Sequence, residues 1–168
     1  MSRSLERTLG RLLSVIAVAW AVSVVTGPWL ASLPALGGAH LSAAAYGFGA
    51  LVCHQRPERS FHLAGVQLPV CARCAGLYLS AALGILAVGC RRRSLDAVPL
   101  VAWRSRLAWA ALPTVVTLAV EWWSPALTSG LVRAVAAAPL GATAGALLAE
   151  TAGFRGRLTG CERTRRSV

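Results

Sequence analysis

The chain has 168 residues, of which 56% are hydrophobic and only 14% charged, with a mean hydropathy of +0.60. A soluble domain normally carries about a quarter charged residues, so disorder is excluded and too little polar surface remains to cover a water-soluble core. Seventeen basic residues, all of them arginine, oppose six acidic ones for a formal charge of +11, but they gather between long apolar runs, which argues for membrane loops and against nucleic acid as the partner.

In chain order, the first apolar run is Leu12–Trp29, about the length a bilayer requires. Its lead-in of Arg3, Arg7 and Arg11 resembles the start of a signal peptide. The run exceeds a signal core of roughly 7–15 residues, so an uncleaved anchor over about residues 12–30 is expected. Leu41–Val52 is apolar but too short to cross, and residues 41–53 read as a re-entrant or interfacial helix. A second span is expected over 69–90, with Pro69 at a first helical position. A third is expected over about 104–122, bent at Pro113, and a fourth over 131–150, which contains Pro139. The basic tail 155–168 is expected to lie on anionic lipid. The predicted fold class is all-α: one polytopic membrane domain over 1–168, with four transmembrane helices plus the short re-entrant or interfacial helix.

The arginines orient the spans. Arg3, Arg7 and Arg11 precede the first, Arg91, Arg92, Arg93, Arg104 and Arg106 separate the second from the third, and Arg155, Arg157, Arg163, Arg165 and Arg166 follow the fourth. Four crossings put all three groups on one side, so both termini are expected in the cytoplasm of a multi-pass protein of the cell membrane. Trp29, Trp122 and Trp123 then fall at the outer interface and Trp103 at the inner one. Arg56, Arg59, Arg73 and Arg133 break the pattern and fall at the outer face.

Small residues recur every four positions in two spans: Ala72, Gly76, Ser80 and Gly84 in the second, and Ala137, Gly141, Gly145 and Ala149 in the fourth. Such faces let helices approach closely in lipid. Spans two and four are expected to touch, and the same faces could serve a homo-oligomer or a membrane partner.

The chemistry concentrates in the outer-face motif 53–78. Cys71 and Cys74 share one face of a first helical turn, where the helix N-terminus and Arg73 both favour thiolate. Cys53 and His54 end the short apolar helix and can reach the same depth. Three thiolates and an imidazole satisfy a tetrahedral Zn2+ site, with His62 as an alternative fourth ligand, and soft thiolates equally suit Cu+. The same sulfurs admit two other readings. One is a thiol–disulfide oxidoreductase that passes electrons to a lipid quinone through Cys53 and Cys71/Cys74, on an architecture resembling vitamin K epoxide reductase-like enzymes. The other is a stabilising disulfide from Cys53 to Cys71 or Cys74. Supporting roles are expected for Gln55, Arg56, Arg59 and Ser60, as an anion or headgroup pocket or equally as a hydrated loop cap, and for Arg73, which either pairs with Glu121 or Glu58 or snorkels to the interface. Cys90 and Cys161 fall on the reducing side and read as free thiols.

Taken together, Cys53-His54-Gln55, Arg59-Ser60-Phe61, Gly65, Pro69, Cys71, Arg73-Cys74, Gly76 and Tyr78 resemble the signature of domain of unknown function 2085. That family comprises small predicted membrane proteins of bacteria and archaea. The resemblance covers the middle of the chain and implies a membrane location and a Cys/His site; it carries no activity, and His62 lies outside the signature.

Overall fold

The computed structural model describes residues 3–30, 37–90, 100–124 and 128–152. The arginine group 91–93 and the basic tail with Cys161 lie outside the described residues. The protein is mostly helical. In chain order come α1 (Arg3–Leu30), α2 (Gly38–Val52), a 3-10 turn (Pro57–Arg59), β1 (Ser60–Leu63), β2 (Val66–Cys71), α3 (Ala72–Cys90), α4 (Leu100–Trp123) and α5 (Gly130–Thr151). Among the described residues three helices are long and apolar enough to cross a membrane: α1 over Thr8–Leu30, α3, and α5.

α3 and α5 form the most extensive helix pair. Gly76 faces the Ala134 backbone, Gly141 that of Leu77, Gly145 that of Ala81, and Gly84 that of Ala142. Partner positions rise together along both helices, so α3 and α5 run parallel. A Cβ at Gly76, Gly84, Gly141 or Gly145 would drive into a carbonyl oxygen of the facing helix. The small-residue stripes are thus spent on backbone contact within one chain. Ala72, Ser80, Ala137 and Ala149 on the same stripes are buried as well.

Because α3 and α5 are parallel, the chain must travel back between them, and α4 does so. Thr114 on α4 donates to the Ala136 carbonyl at 3.0 Å, three residues before Pro139, where a missing N–H weakens the α5 ladder. Further along, Glu121 near the end of α4 meets Arg133 near the start of α5. α1 runs antiparallel to α3 and α5: Gly10 packs on Ala152, Ala17 and Val18 on the Ile85, Val88 and Ala149 layer, and Val24 on Ala75. Outward faces remain apolar, with Leu83, Trp109, Val116 and Val135 all exposed. Trp122 and Trp123, at the end of α4, are each 91% exposed.

α2 packs against α1 in the reverse direction. Ser42 donates to the Gly27 carbonyl at 3.0 Å, and Phe48 meets Trp20 edge-to-face at 4.8 Å. The helix therefore descends alongside α1 from the level of Gly27 to that of Trp20, and delivers Cys53 into the bundle.

A helix expected from Pro69 begins instead at Ala72. Residues 60–71 form an antiparallel hairpin, pairing Leu63 with Val66 and His62 with Gln67. Ala64 (φ 51°) and Gly65 (φ 79°) both occupy the left-handed region, as a two-residue hairpin turn of the tightly twisted kind requires. Pro69 has no N–H to give a ladder, and the register shifts between Ser60 and His62, across the part of β2 that contains it. Apolar Leu68, Pro69 and Val70 are buried, so this hairpin closes one end of the bundle and carries its last strand residue, Cys71, directly into α3.

Candidate metal centre

Three separate pieces of chain supply three sulfurs: Cys53 from the residue that caps α2, Cys71 from the end of β2, and Cys74 from the first turn of α3. The sulfurs all lie within 4.8 Å of one another. All three are free thiols. Cys53 is buried, and its sulfur accepts a hydrogen bond from the Cys71 backbone N–H at 3.2 Å, which ties the end of α2 to the strand–helix junction.

Gln55 sets this meeting. Its backbone is left-handed (φ 47°), a conformation that glutamine seldom adopts, and it reverses the chain just after Cys53 and His54. The side chain holds the reversal by donating to the carbonyls of Tyr46 (2.8 Å) and Pro69 (2.7 Å). Gln67 adds a bond of 2.7 Å to the Gln55 carbonyl and one of 3.3 Å to Ser60 Oγ. The Tyr46 hydroxyl donates to the Gln67 carbonyl. A backbone residue in a sparsely populated conformation persists only where its surroundings over-determine it, and three hydrogen bonds do so at Gln55. Gly49 allows the approach: a Cβ there would collide with the Pro69 carbonyl and come within 2.6 Å of Gln55 Nε2.

Of the three thiols, Cys71 is the one the surrounding hydrogen bonds make more acidic. The hydrogen bond from the Cys74 thiol, with further bonds from the Cys74 backbone, the Cys53 thiol and the Arg73 backbone, outweighs burial and lowers its pKa to about 5. These bonds favour the thiolate at Cys71, the form that ligates metals.

The sulfurs form one wall of a cavity of about 350 Å³, lined also by His54, Gln55, Arg56, Arg59, Arg73, Glu121 and Arg133. His54 is exposed at this lining, whereas His62 is exposed on β1, on the opposite face of the strand from Phe61 and Leu63. Ser60 is absent from this lining and donates to the Arg56 carbonyl at 2.8 Å. Opposite the sulfurs, Glu121 is 7% exposed. Its Oε1 accepts from Arg73 Nη2 at 2.7 Å and from Arg133 Nε at 2.8 Å. Arg59 Nη1 stands 3.9 Å from Oε2. Of the two acidic partners considered for Arg73, the ion pair forms with Glu121, while Glu58 is exposed on the 3-10 turn.

Arg133, 6% exposed, and Thr128, whose Oγ1 accepts from Arg133 Nη2 at 3.3 Å, were absent from the expected site. Arg133 did signal itself, as one of four arginines on the wrong side for a charge-sorted topology. Gln67 and Tyr46 gave no such signal, because their roles are bonds to backbone carbonyls brought near by the fold.

The family model described as Predicted membrane protein (DUF2085) matches residues 53–147, more than half of the chain. An uncharacterized protein of Methanocaldococcus jannaschii is 41% identical over 46 residues, 27% of this chain and 30% of that protein. An uncharacterized protein of Methanothermobacter thermautotrophicus is 53% identical over 30 residues, 18% of this chain and 27% of that protein. The chain thus spans under a third of the length of either relative. No solved structure matches.

Proposed function

Given that the chain belongs to the DUF2085 family of predicted membrane proteins, we propose that it is a multi-pass protein of the cell membrane whose Cys53, Cys71, Cys74 and His54 bind a transition-metal ion, Zn2+ or Cu+, at the outer face. One observation carries this reading: the Cys53 thiol, from the end of α2, joins the Cys71/Cys74 pair so that all three sulfurs lie within 4.8 Å of one another. With metal–sulfur bonds of about 2.3 Å, sulfurs around a tetrahedral ion stand about 3.8 Å apart, so ligand shifts of about 1 Å close the site. His54, on the lining of the same cavity, is the fourth ligand for zinc; His62, exposed on the other face of β1 from Phe61 and Leu63, does not take the alternate place that the sequence offered it, and three thiolates alone serve Cu+. The site handles the ion or uses it to brace the hairpin against the helices.

The outer placement rests on four crossings. α3 and α5 are parallel and each is long enough to span, so α4 must return the chain across the bilayer between them. α4 carries more charge than an ordinary span, but Glu121 is neutralised by Arg73 and Arg133, and Arg104 and Arg106 fall in its first two turns, where they reach the interface. α2, descending beside α1, is a re-entrant helix in this reading. Both termini and the α3–α4 connection are then cytoplasmic, and the hairpin and cysteines face outward.

The test is elemental analysis of untagged protein purified under reducing conditions. One zinc or copper ion per chain is expected, and loss of that ion when Cys53, Cys71 and Cys74 are replaced by Ser. Metal-free wild-type protein, folded and fully reduced, ends the proposal.

A second reading has the same geometry in its favour: Cys71 and Cys74 are free thiols within 4.8 Å, and hydrogen bonds that lower the Cys71 pKa favour an attacking thiolate there. A quinone-linked thiol oxidoreductase would show a mixture of reduced and oxidised Cys71/Cys74 in cells that shifts on quinone depletion. Thiols protected from alkylation until a chelator is added identify the metal site instead.

A further inference from the structure

We propose that the arginine side of the cavity is a binding site for a phosphate-type oxyanion, next to the cysteines and independent of whether they hold a metal. The excess of positive charge is the first argument. Arg56, Arg59, Arg73 and Arg133 all line this cavity, and Glu121 is the one carboxylate that does. They converge from the loop after α2, the start of α3 and the start of α5. Glu121 answers only part of that charge, since Arg73 and Arg133 both crowd onto its Oε1 and Arg59 stays 3.9 Å from Oε2. Buried charge without an opposite charge is costly where the surroundings exclude water. A bound anion removes that cost.

The second argument is an unused donor. A guanidinium offers five N–H groups in a planar fork suited to bidentate contact with an oxyanion. Arg73 spends Nη2 on Glu121, yet its Nε is buried and has no hydrogen-bond partner. Arg133 divides its donors between Glu121 and Thr128, each contact being single. None of these pairs uses the fork–fork geometry that guanidinium groups form with a dedicated carboxylate. A buried donor left open on a half-buried, cavity-lining arginine marks where an acceptor belongs.

Shape selects the class. About 350 Å³ lies at the small end of ligand cavities, suited to one compact group. Guanidinium groups arriving from three directions match a tetrahedral anion with oxygens on several sides better than a planar carboxylate. The exposed Arg56 and His54 stand at the rim, so the phosphate group enters either on a small molecule from water or as the headgroup of an anionic lipid.

The test measures binding of isotopically labelled inorganic phosphate to full-length protein in phosphatidylcholine nanodiscs, at constant ionic strength. A second arm measures retention of phosphatidylglycerol through delipidation in neutral detergent. Saturable phosphate binding, or retained phosphatidylglycerol, is expected in at least one arm. The first alone identifies free phosphate compounds as the ligand, and retention of the lipid identifies the headgroup. The double variant Arg56→Gln/Arg59→Gln removes charge from the mouth of the cavity and the long Arg59–Glu121 contact of 3.9 Å but leaves the close Arg73 and Arg133 pairs to Glu121 in place, and should weaken binding tenfold or more. Replacing all three cysteines with Ser should leave anion binding within twofold of wild type. Absence of binding in both arms overturns the proposal. So does binding that the double variant retains in full, or binding that disappears with the cysteines, which assigns the anion to the metal centre.

Discussion

Gln55 determines where Cys53 and His54 point, although it has no reactive group of its own. Its left-handed backbone turns the chain, and its amide bridges Tyr46 and Pro69. Replacing it with Ala keeps the unfavourable φ and removes both bonds. Supports of this kind outside the ligand shell typically change metal affinity by about 10–100-fold, so Gln55→Ala is expected to weaken binding by that factor in competition with a chromophoric chelator. At Cys71 the expectation concerns pH. Its thiol sits at about 5, below the ordinary value near 8.5. In metal-free protein, alkylation of Cys71 should therefore rise through a midpoint near pH 5, when followed by mass spectrometry, and be complete where an unstructured thiol has barely begun to ionise. The sign for stability follows: the thiolate's hydrogen bonds contribute fully above the unfolded thiol value and are lost as pH falls through about 5.

At the scale of elements, the α3–α5 interface leaves no room for a side chain at its glycines. Gly141 and Gly145 press on the Leu77 and Ala81 backbones, where relief requires moving a whole helix. Gly141→Leu or Gly145→Leu is expected to part the two helices, lower the thermal unfolding midpoint in detergent, and loosen the cysteine cluster because α3 carries Cys74. Gly47, on α2, has open space where its Cβ would stand, so Gly47→Ala should leave the midpoint unchanged or slightly raised. Contact between these two helices was legible in the sequence, since residues spaced by four share one helix face. Their parallel sense was implied by four crossings, since alternate spans run the same way, but periodicity by itself gave neither that direction nor which glycine meets which carbonyl. The hairpin was hidden for a related reason: Leu68, Pro69 and Val70 are apolar on both sides of the strand and read as the entry to a span. Only the paired positive φ angles at Ala64 and Gly65 separate strand from helix there.

For the whole molecule, the proposed topology makes a prediction that the site alone does not. A reporter inserted between α3 and α4 should read cytoplasmic, and one inserted between α1 and α2 should read external. An external reading between α3 and α4 would invert the protein and bring the thiols into a reducing compartment, where the metal reading keeps its chemistry and the quinone-linked one loses its oxidant. The sequence alone determined that this is a helical membrane protein, because hydropathy, span length and arginine placement are sums over stretches of chain and survive ignorance of contacts. It also marked the thiols and the arginines that violate charge sorting. Only the tertiary structure decided that Cys53 meets Cys71 and Cys74, that Glu121 is shared by Arg73 and Arg133, and that a donor on Arg73 is left open. Those facts depend on where a left-handed glutamine turns the chain and on how closely two glycine-lined helices approach, and both are set by packing between residues far apart in sequence.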